Sequence, residues 1–147
     1  MSGSIRRLNI LLVDDSDDDA LMARTTLEHL GLPHKIKTFC DGRQALDYLR
    51  CAGKYADRKP ALPDLLLVDI NMPLMDGLSF LRAIKEDAAL KKLPVIMLTS
   101  STAREDITRS FEAGAASYLA KPNNFEGYKK LLHSFGNYWL TVSALPE

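Results

Sequence analysis

The stretch Leu-Leu-Leu-Val-Asp-Ile-Asn-Met-Pro, residues 65–73, decides the fold of this chain. Its first four residues form a continuous aliphatic run, which is typical of a β-strand buried on both faces of a parallel sheet. Asp69 follows that run directly. In open α/β sheets, binding sites lie just outside the carboxyl ends of the strands. The residues that follow the other strands are therefore the places where functional chemistry is expected.

Short aliphatic runs alternate with longer helical patterns along the chain. The predicted strands are 9–13, 34–39, 65–68, 95–98 and 117–120. Helical spacing of apolar residues predicts helices over 17–30, 41–53, 77–88 and 124–139, with a further helix from the capping box Thr102–Glu105 to Gly114. This alternation predicts an α/β fold, a five-stranded parallel sheet with helices on both faces. We expect an N-terminal tail over residues 1–7, one domain over 8–136 and a C-terminal extension over 137–147.

Composition excludes several classes of function. The 147 residues contain 19 Lys and Arg against 19 Asp and Glu, so the formal net charge is zero. Nucleic-acid binders usually carry a basic excess or stripe, and direct nucleic-acid binding is therefore not expected. No run of about 18 apolar residues occurs, so no membrane-spanning helix is expected. Cys40 and Cys51 have no metal-ligand spacing, which favours two reduced thiols in a cytoplasmic protein.

Polar side chains follow four of the predicted strands. They are Asp14 and Asp15, Asp69, Thr99, and Lys121. Three carboxylates at one edge of a sheet repel one another and are tolerated when a cation lies among them. Oxygen ligands favour a hard ion such as Mg²⁺. A carboxylate, Mg²⁺, a hydroxyl and an ammonium together suit a phosphoryl group held on a carboxylate oxygen.

Residues 14–19 hold five aspartates in six positions, and these have two interpretations. For Asp17, Asp18 and Asp19 the favoured one is an acidic first helical turn that complements the helix dipole. For Asp14 and Asp15 we favour a role in the cation site. The chain contains neither a GxGxxG nor a GxxxxGK[ST] motif, which argues against a Rossmann cofactor site or a P-loop.

These residues resemble the motifs of bacterial response-regulator receiver domains over about residues 8–133. The matching segments are LLVDDS (11–16), LLVDINMPLMDGL (66–78), LPVIMLTS (93–100) and AGAASYLAKP (113–122). The resemblance implies a flavodoxin-like, doubly wound (βα)₅ fold with strand order 2-1-3-4-5. It also implies a two-component signalling protein that is not an enzyme in the usual sense. Such a protein is a phosphoacceptor with intrinsic Mg²⁺-dependent phosphotransfer and autodephosphorylation.

The same resemblance implies a role for each site residue. Asp69 is then the phosphoacceptor, and Asp14, Asp15, Asp69 and the backbone carbonyl of Asn71 are the Mg²⁺ ligands. Thr99 and Lys121 would contact the phosphoryl group, Tyr118 would be the aromatic switch residue, and Pro122 would follow a cis peptide bond. The phosphoryl donor would be the phosphohistidine of a sensor histidine kinase.

The long segment 53–63 and an aromatic C-terminus resemble the response regulators of phytochrome kinases, which lack an output domain and form homodimers. Tyr138, Trp139 and Leu140 are the predicted dimer contacts, and the sensor kinase is expected to be of the phytochrome type. One alternative is a receiver-fold dimeric interaction module that works without phosphorylation. Another is a Mg²⁺-dependent aspartyl-phosphate hydrolase of the haloacid dehalogenase type. That family needs an aspartate two residues after the nucleophile, where this chain has Asn71.

Overall fold

The protein folds into a five-stranded parallel sheet, seen in a computed structural model that describes residues 8–30 and 34–139. The strands are β1 (Leu8–Val13), β2 (His34–Phe39), β3 (Leu65–Val68), β4 (Val95–Thr99) and β5 (Ser117–Ala120). Their order across the sheet is β2-β1-β3-β4-β5, and every neighbouring pair is parallel. This confirms the predicted α/β class, strand order and flavodoxin-like topology.

The helices alternate with the strands as predicted, with small differences at their ends. They are α1 (Asp17–Glu28), α2 (Gly42–Arg50), α3 (Gly77–Glu86), α4 (Arg104–Glu112) and α5 (Phe125–Asn137). Four of them begin at a side chain that accepts a hydrogen bond from the first turn, and those N-caps are Ser16, Asp41, Asp76 and Asn124. Such caps satisfy backbone N–H groups that have no partner within the helix.

The capping box at Thr102 and Glu105 is wrong. The residue before α4 is Ala103, whose side chain makes no capping hydrogen bond. Ser101 replaces the expected interaction, because its hydroxyl donates to the Asp106 carboxylate at 2.6 Å and accepts the backbone N–H of Ala103 at 3.3 Å. The hydroxyl that organises the start of α4 therefore lies two residues after the end of β4.

The sheet separates two apolar clusters, because alternate residues of a strand point to opposite faces. Leu11 and Val13 of β1 pack with residues of α2 and α3, whereas Leu8, Ile10 and Leu12 pack with residues of α1 and α5. Both faces of the central strands are therefore covered, and their polar residues are confined to the strand ends. Within the described ranges, no helix is long and apolar enough to cross a membrane.

Candidate functional site

Three aspartates meet at the carboxyl ends of β1 and β3. Asp14 and Asp69 are buried, and Asp15 is exposed at the mouth of the site. Backbone hydrogen bonds extend the sheet to both buried residues, since Asp14 N–H donates to Phe39 at 3.0 Å and Asp69 N–H donates to Val13 at 2.9 Å. Oxygens of the three carboxylates lie within 4.8 Å of one another. We call these three residues the acidic triad.

The acidic triad fits a metal ion. Each member offers a carboxylate oxygen, and three converging oxygens suit a hard divalent cation. The Asn71 backbone N–H donates to Asp69 Oδ1 at 3.2 Å, so the segment that would supply the expected carbonyl ligand folds back against the triad. The triad is therefore a set of residues able to hold a metal ion.

Gly77, the first residue of α3, packs directly against the backbone of Asp69. A β-carbon at position 77 would lie 2.1 Å from the Asp69 carbonyl oxygen, so no larger residue fits. The Gly77 N–H also donates to Ile70 at 2.8 Å. The close approach of α3 thus holds the end of β3 in one position, and with it the Asp69 carboxylate.

Lys121, which follows β5, reaches into the acidic triad. Its ammonium donates to Asp14 Oδ2 at 2.7 Å and to Asp69 Oδ2 at 3.1 Å. A third hydrogen bond goes to Asp19 Oδ2 at 2.9 Å. The Lys121 side chain is 6% exposed, so this charge is neutralised almost entirely by carboxylates and not by water.

Asp19 is the site residue that the sequence interpretation missed, since its charge was assigned to the helix dipole. The available signal is its place in α1. With Ser16 as the N-cap, Asp19 is the third residue of the first turn, and helical side chains lean toward the helix N-terminus. Asp17 and Asp18 are exposed and fit the dipole interpretation, so one of three similar aspartates joins the site.

Burial and charge shift the ionisation of this cluster. Burial raises the pKa of Asp14 to about 6, although the hydrogen bond from Lys121 acts in the opposite direction. For Lys121, burial by itself lowers the pKa, but the hydrogen bond and charge of Asp14, with help from Asp19 and Asp69, outweigh it and raise the pKa. The lysine is therefore a permanent cation, while Asp14 gains a proton more readily than an ordinary aspartate.

The remaining predicted residues lie around this cluster. Thr99 is completely buried at the end of β4, and its carbonyl accepts the Lys121 backbone N–H at 2.8 Å. Thr99 Oγ1 accepts the Ser101 N–H at 3.4 Å, and the Tyr118 hydroxyl donates to the Ser101 carbonyl at 2.8 Å. Ser101 thus lies between Thr99 and the half-buried Tyr118.

The expected cis bond before Pro122 is wrong for this structure. No cis peptide bond occurs among the described residues, so the Lys121–Pro122 bond is trans. The trans form is intrinsically favoured for bonds to proline. With this bond trans, the Lys121 ammonium reaches all three of its carboxylate partners.

Of the predicted dimer contacts, Tyr138 and Trp139 directly follow α5. Tyr138 is 51% exposed, and its ring meets that of Trp139 edge to face at 5.5 Å. Trp139 is half-buried against the apolar cluster between the sheet and α5, which the sequence did not predict. Both rings border a groove of about 420 Å³ that Leu119 and Leu131 also line. Leu140 lies outside the described residues.

A buried carboxylate pair, an ammonium and a hydroxyl at the carboxyl edge of a 2-1-3-4-5 sheet suit a phosphoryl group held on a carboxylate oxygen. Residues 10–133 match the family described as the response regulator receiver domain. The chain therefore belongs to the response regulator receiver domains, and it is a phosphoacceptor rather than a classical enzyme.

Three relatives are similar to the chain over most of its length. The Probable methanogenesis regulatory protein FilR2 of Methanothrix harundinacea is 37% identical, and the match covers 93% of this chain and 86% of FilR2. Response regulator Rcp1 of Synechocystis is 34% identical, over 93% of this chain and 92% of Rcp1. The crystal structure of its Mn²⁺-bound form has a TM-score of 0.89, covering 95% of this chain and 99% of that one.

The third relative is the phosphorylated cyanobacterial phytochrome response regulator RcpA. Its crystal structure has a TM-score of 0.89 at 33% identity, and the match covers 97% of this chain and all of that one. Response regulators pair with a histidine kinase, and solved structures similar to this chain include phytochrome response regulators. These findings support the phosphoacceptor class of the site.

Proposed function

We propose that this protein accepts a phosphoryl group on Asp69 from a sensor histidine kinase in a Mg²⁺-dependent reaction. One observation carries the proposal. The buried Asp69 carboxylate lies 3.1 Å from the Lys121 ammonium and shares its surroundings with two further carboxylates, Asp14 and Asp15. A nucleophilic carboxylate, a fixed cation and a metal-binding pair are the groups that transfer of a dianionic phosphoryl group requires.

In the reaction, an Asp69 carboxylate oxygen attacks the phosphorus of the donor phosphohistidine. A bond from oxygen to phosphorus forms, the phosphorus–nitrogen bond breaks, and its electron pair stays on the donor imidazole. The Asp14, Asp15 and Asp69 carboxylates would hold Mg²⁺, which would supply positive charge that offsets the charge of the phosphoryl group. Lys121 directs one N–H at Asp69 Oδ2, so its ammonium lies beside the carboxylate that would carry the phosphoryl group. The Thr99 hydroxyl would donate a hydrogen bond to a phosphoryl oxygen.

The signal would leave the site through Thr99 and Tyr118. A phosphoryl group adds about −1.5 to −2 charges, which attracts hydroxyl and N–H donors near Asp69. If Thr99 turns toward that charge, its contact with the Ser101 N–H changes, and Ser101 is also the partner of the Tyr118 hydroxyl. The response would be a shift between two populated conformations of α4, β5 and α5.

The phosphorylation step is tested with a small donor. Purified protein is incubated with phosphoramidate and Mg²⁺, and its intact mass is measured. We expect an adduct of about 80 Da, one phosphoryl group, that disappears in Asp69→Asn and in EDTA. Asp57→Asn is the matched control, because Asp57 is exposed in the segment between α2 and β3. An adduct that persists in Asp69→Asn would show that Asp69 is not the acceptor.

We further propose that the donor kinase is of the phytochrome type. The support is the similarity to Rcp1 and RcpA across nearly the whole of both chains. The test is phosphotransfer from a panel of autophosphorylated histidine kinases that includes a phytochrome kinase. The fastest transfer is expected from the phytochrome kinase. Equal or faster transfer from unrelated kinases would remove this part of the proposal.

A homodimer is the third part of the proposal. The exposed Tyr138 ring and the groove beside Trp139 place aromatic surface next to β5 and α5. Trp and Tyr are enriched among the residues that dominate interface energies, and one such ring can contribute about 2 kcal/mol. Trp139→Ala with Leu140→Ala should give a folded monomer in equilibrium ultracentrifugation. Phe125→Ala removes an exposed aromatic ring at the other end of α5 and should leave the dimer intact.

A further inference from the structure

The Lys121 ammonium uses all three of its N–H groups on carboxylates. The partners are Asp14, Asp19 and Asp69, at 2.7, 2.9 and 3.1 Å. Two of these partners, Asp14 and Asp69, also belong to the acidic triad that fits a metal ion. Asp19 is the partner of Lys121 that lies outside the triad.

A divalent cation in the acidic triad would weaken the interactions that hold the Lys121 ammonium beside Asp14 and Asp69. The metal draws on the same Asp14 and Asp69 carboxylates that hold the ammonium, and it repels the ammonium as a like charge. The Lys121 side chain is 6% exposed, so water does not screen this repulsion well. A carboxylate that serves the lysine alone would keep the ammonium in the site while the metal is bound.

We propose that Asp19 is a positioning residue that anchors Lys121 beside Asp69 when a divalent cation occupies the acidic triad. This inference rests on the proposed function, since it assigns Asp19 a role in phosphorylation of Asp69. Asp19 acts through Lys121. It keeps the ammonium directed at the phosphoryl oxygens, and it supplies a negative charge outside the set of metal ligands.

The position of Asp19 is well fixed for this role. Its backbone N–H donates to the Ser16 hydroxyl at 3.2 Å, which begins α1 and ties that residue to the end of β1. Its carbonyl faces the Tyr128 hydroxyl of α5 at 3.5 Å. The Asp19 side chain is 40% exposed, so it lies at the mouth of the site and is free of the close packing that surrounds Asp14.

The neighbouring Asp18 provides a matched control. It lies in the same turn of α1 and carries the same charge, but it is exposed and makes no ion pair with Lys121 in the part of the chain that the structure describes. Asp18→Ala and Asp19→Ala therefore remove equal charge from the same helix terminus. A difference between the two variants reports the contact with Lys121, and not the helix dipole or the net charge.

The first measurement follows the Lys121 ammonium by nitrogen-15 NMR, with the signal assigned through Lys121→Arg. Mg²⁺ alone is the probe, and no phosphoryl donor is present. We expect the wild type and Asp18→Ala to keep a protected ammonium signal when Mg²⁺ is added. In Asp19→Ala the signal should be present without Mg²⁺ and be lost by solvent exchange when Mg²⁺ binds. A signal that persists with Mg²⁺ in Asp19→Ala overturns the proposal.

The second measurement is the rate of phosphorylation by phosphoramidate as a function of Mg²⁺ concentration. At saturating Mg²⁺, Asp19→Ala should be slower than wild type by about tenfold, the size expected for one lost charge-assisted hydrogen bond. Asp18→Ala should stay within about twofold, and Asp19→Glu, which restores a carboxylate, should recover most of the rate. Equal rates for Asp18→Ala and Asp19→Ala at saturating Mg²⁺ overturn the proposal.

The two measurements separate this inference from the proposed function. If the wild type forms no adduct with phosphoramidate and Mg²⁺, the proposed function is wrong. The NMR result still decides whether Asp19 anchors Lys121 against a bound cation. If the wild type is phosphorylated but Asp19→Ala behaves like Asp18→Ala in both measurements, the proposed function stands and the role of Asp19 is wrong.

Discussion

The carboxyl edge of β1 and β3 and the side formed by α4, β5 and α5 are built in different ways. At the carboxyl edge, Asp14, Asp69 and Lys121 are buried and joined by short hydrogen bonds. On the other side, all four residues of β5 are half-buried or exposed, and α4 has no side-chain cap. Buried ion pairs hold the first region in one geometry, whereas in the second region β5 and α4 bury few side chains. This difference suits a chemical site that stays rigid and a surface that changes in response to it.

The largest expected change in unfolding free energy comes from Lys121, at the carboxyl edge of β1 and β3. In metal-free protein, Lys121→Met leaves the buried Asp14 and Asp69 carboxylates without a cation, which should lower the free energy of unfolding by about 3–5 kcal/mol. Mg²⁺ should reduce that loss, because it replaces the missing charge. Urea denaturation with EDTA and with Mg²⁺ measures both values. Lys130→Met, on the exposed face of α5, should be nearly neutral. A neutral Lys121→Met would show that the cluster is not held by this lysine.

The next effect tests how closely α3 packs against Asp69. The β-carbon in Gly77→Ala meets the Asp69 carbonyl oxygen, so the helix or the strand end must move. We expect a loss of about 3 kcal/mol in unfolding free energy, together with weaker Mg²⁺ binding. Ser79→Ala, an exposed position in the same helix, is the control in the same denaturation experiment. Unchanged Mg²⁺ affinity in Gly77→Ala would show that the end of β3 tolerates a shift.

The third effect is a pH dependence carried by Asp14. Its pKa is raised from the ordinary 3.8 to about 6 by burial. Between those values the unfolded chain has released a proton that the folded protein still holds. The contribution of Asp14 to the unfolding free energy therefore falls as pH rises from about 4 to about 6, and it is constant above that window. Denaturation in EDTA across this range should show this slope in the wild type and a smaller one in Asp14→Asn.

With Mg²⁺ present, the unfolding free energy should instead rise with pH through this range. A metal ion binds the ionised carboxylate and competes with the proton, so the apparent Mg²⁺ affinity should rise with pH through the same window. Mg²⁺ titrations at several pH values between 5 and 7.5, in roughly half-unit steps, measure this affinity directly. An Mg²⁺ affinity that does not change below pH 6 would show that Asp14 is ionised throughout.

The smallest change in unfolding free energy is expected on the side formed by α4, β5 and α5. Tyr118→Phe removes one hydrogen bond from the hydroxyl to the Ser101 carbonyl, so the unfolding free energy should fall by about 1 kcal/mol. Hydrogen exchange should become faster in the segment between β4 and α4, and remain unchanged at the end of β3. Faster exchange at both places would mean that the two regions are not built as differently as their contacts indicate.

The alternation of aliphatic runs and helical patterns was enough to predict the order of the five strands and the five α-helices. Strand burial depends on a local pattern, since the continuous run at 65–68 suits a position between two apolar layers. The same logic located Asp14, Asp69, Thr99 and Lys121, because parallel strands bring their carboxyl ends to one edge. Helix ends were predicted less accurately: α4 begins after Ala103 and not after the predicted cap Thr102, and the Ser101 hydroxyl bonds to Asp106.

The sequence by itself determined the fold, the edge that carries the site, and most of the residues found there. Tertiary structure alone decided which of three adjacent aspartates reaches Lys121, and it placed Trp139 against its own domain. It also set the ionisation of Asp14. The physical reason is that strands and helices follow from local patterns, whereas side-chain contacts and desolvation depend on groups distant in sequence. Asp19 and Lys121, for example, are 102 residues apart.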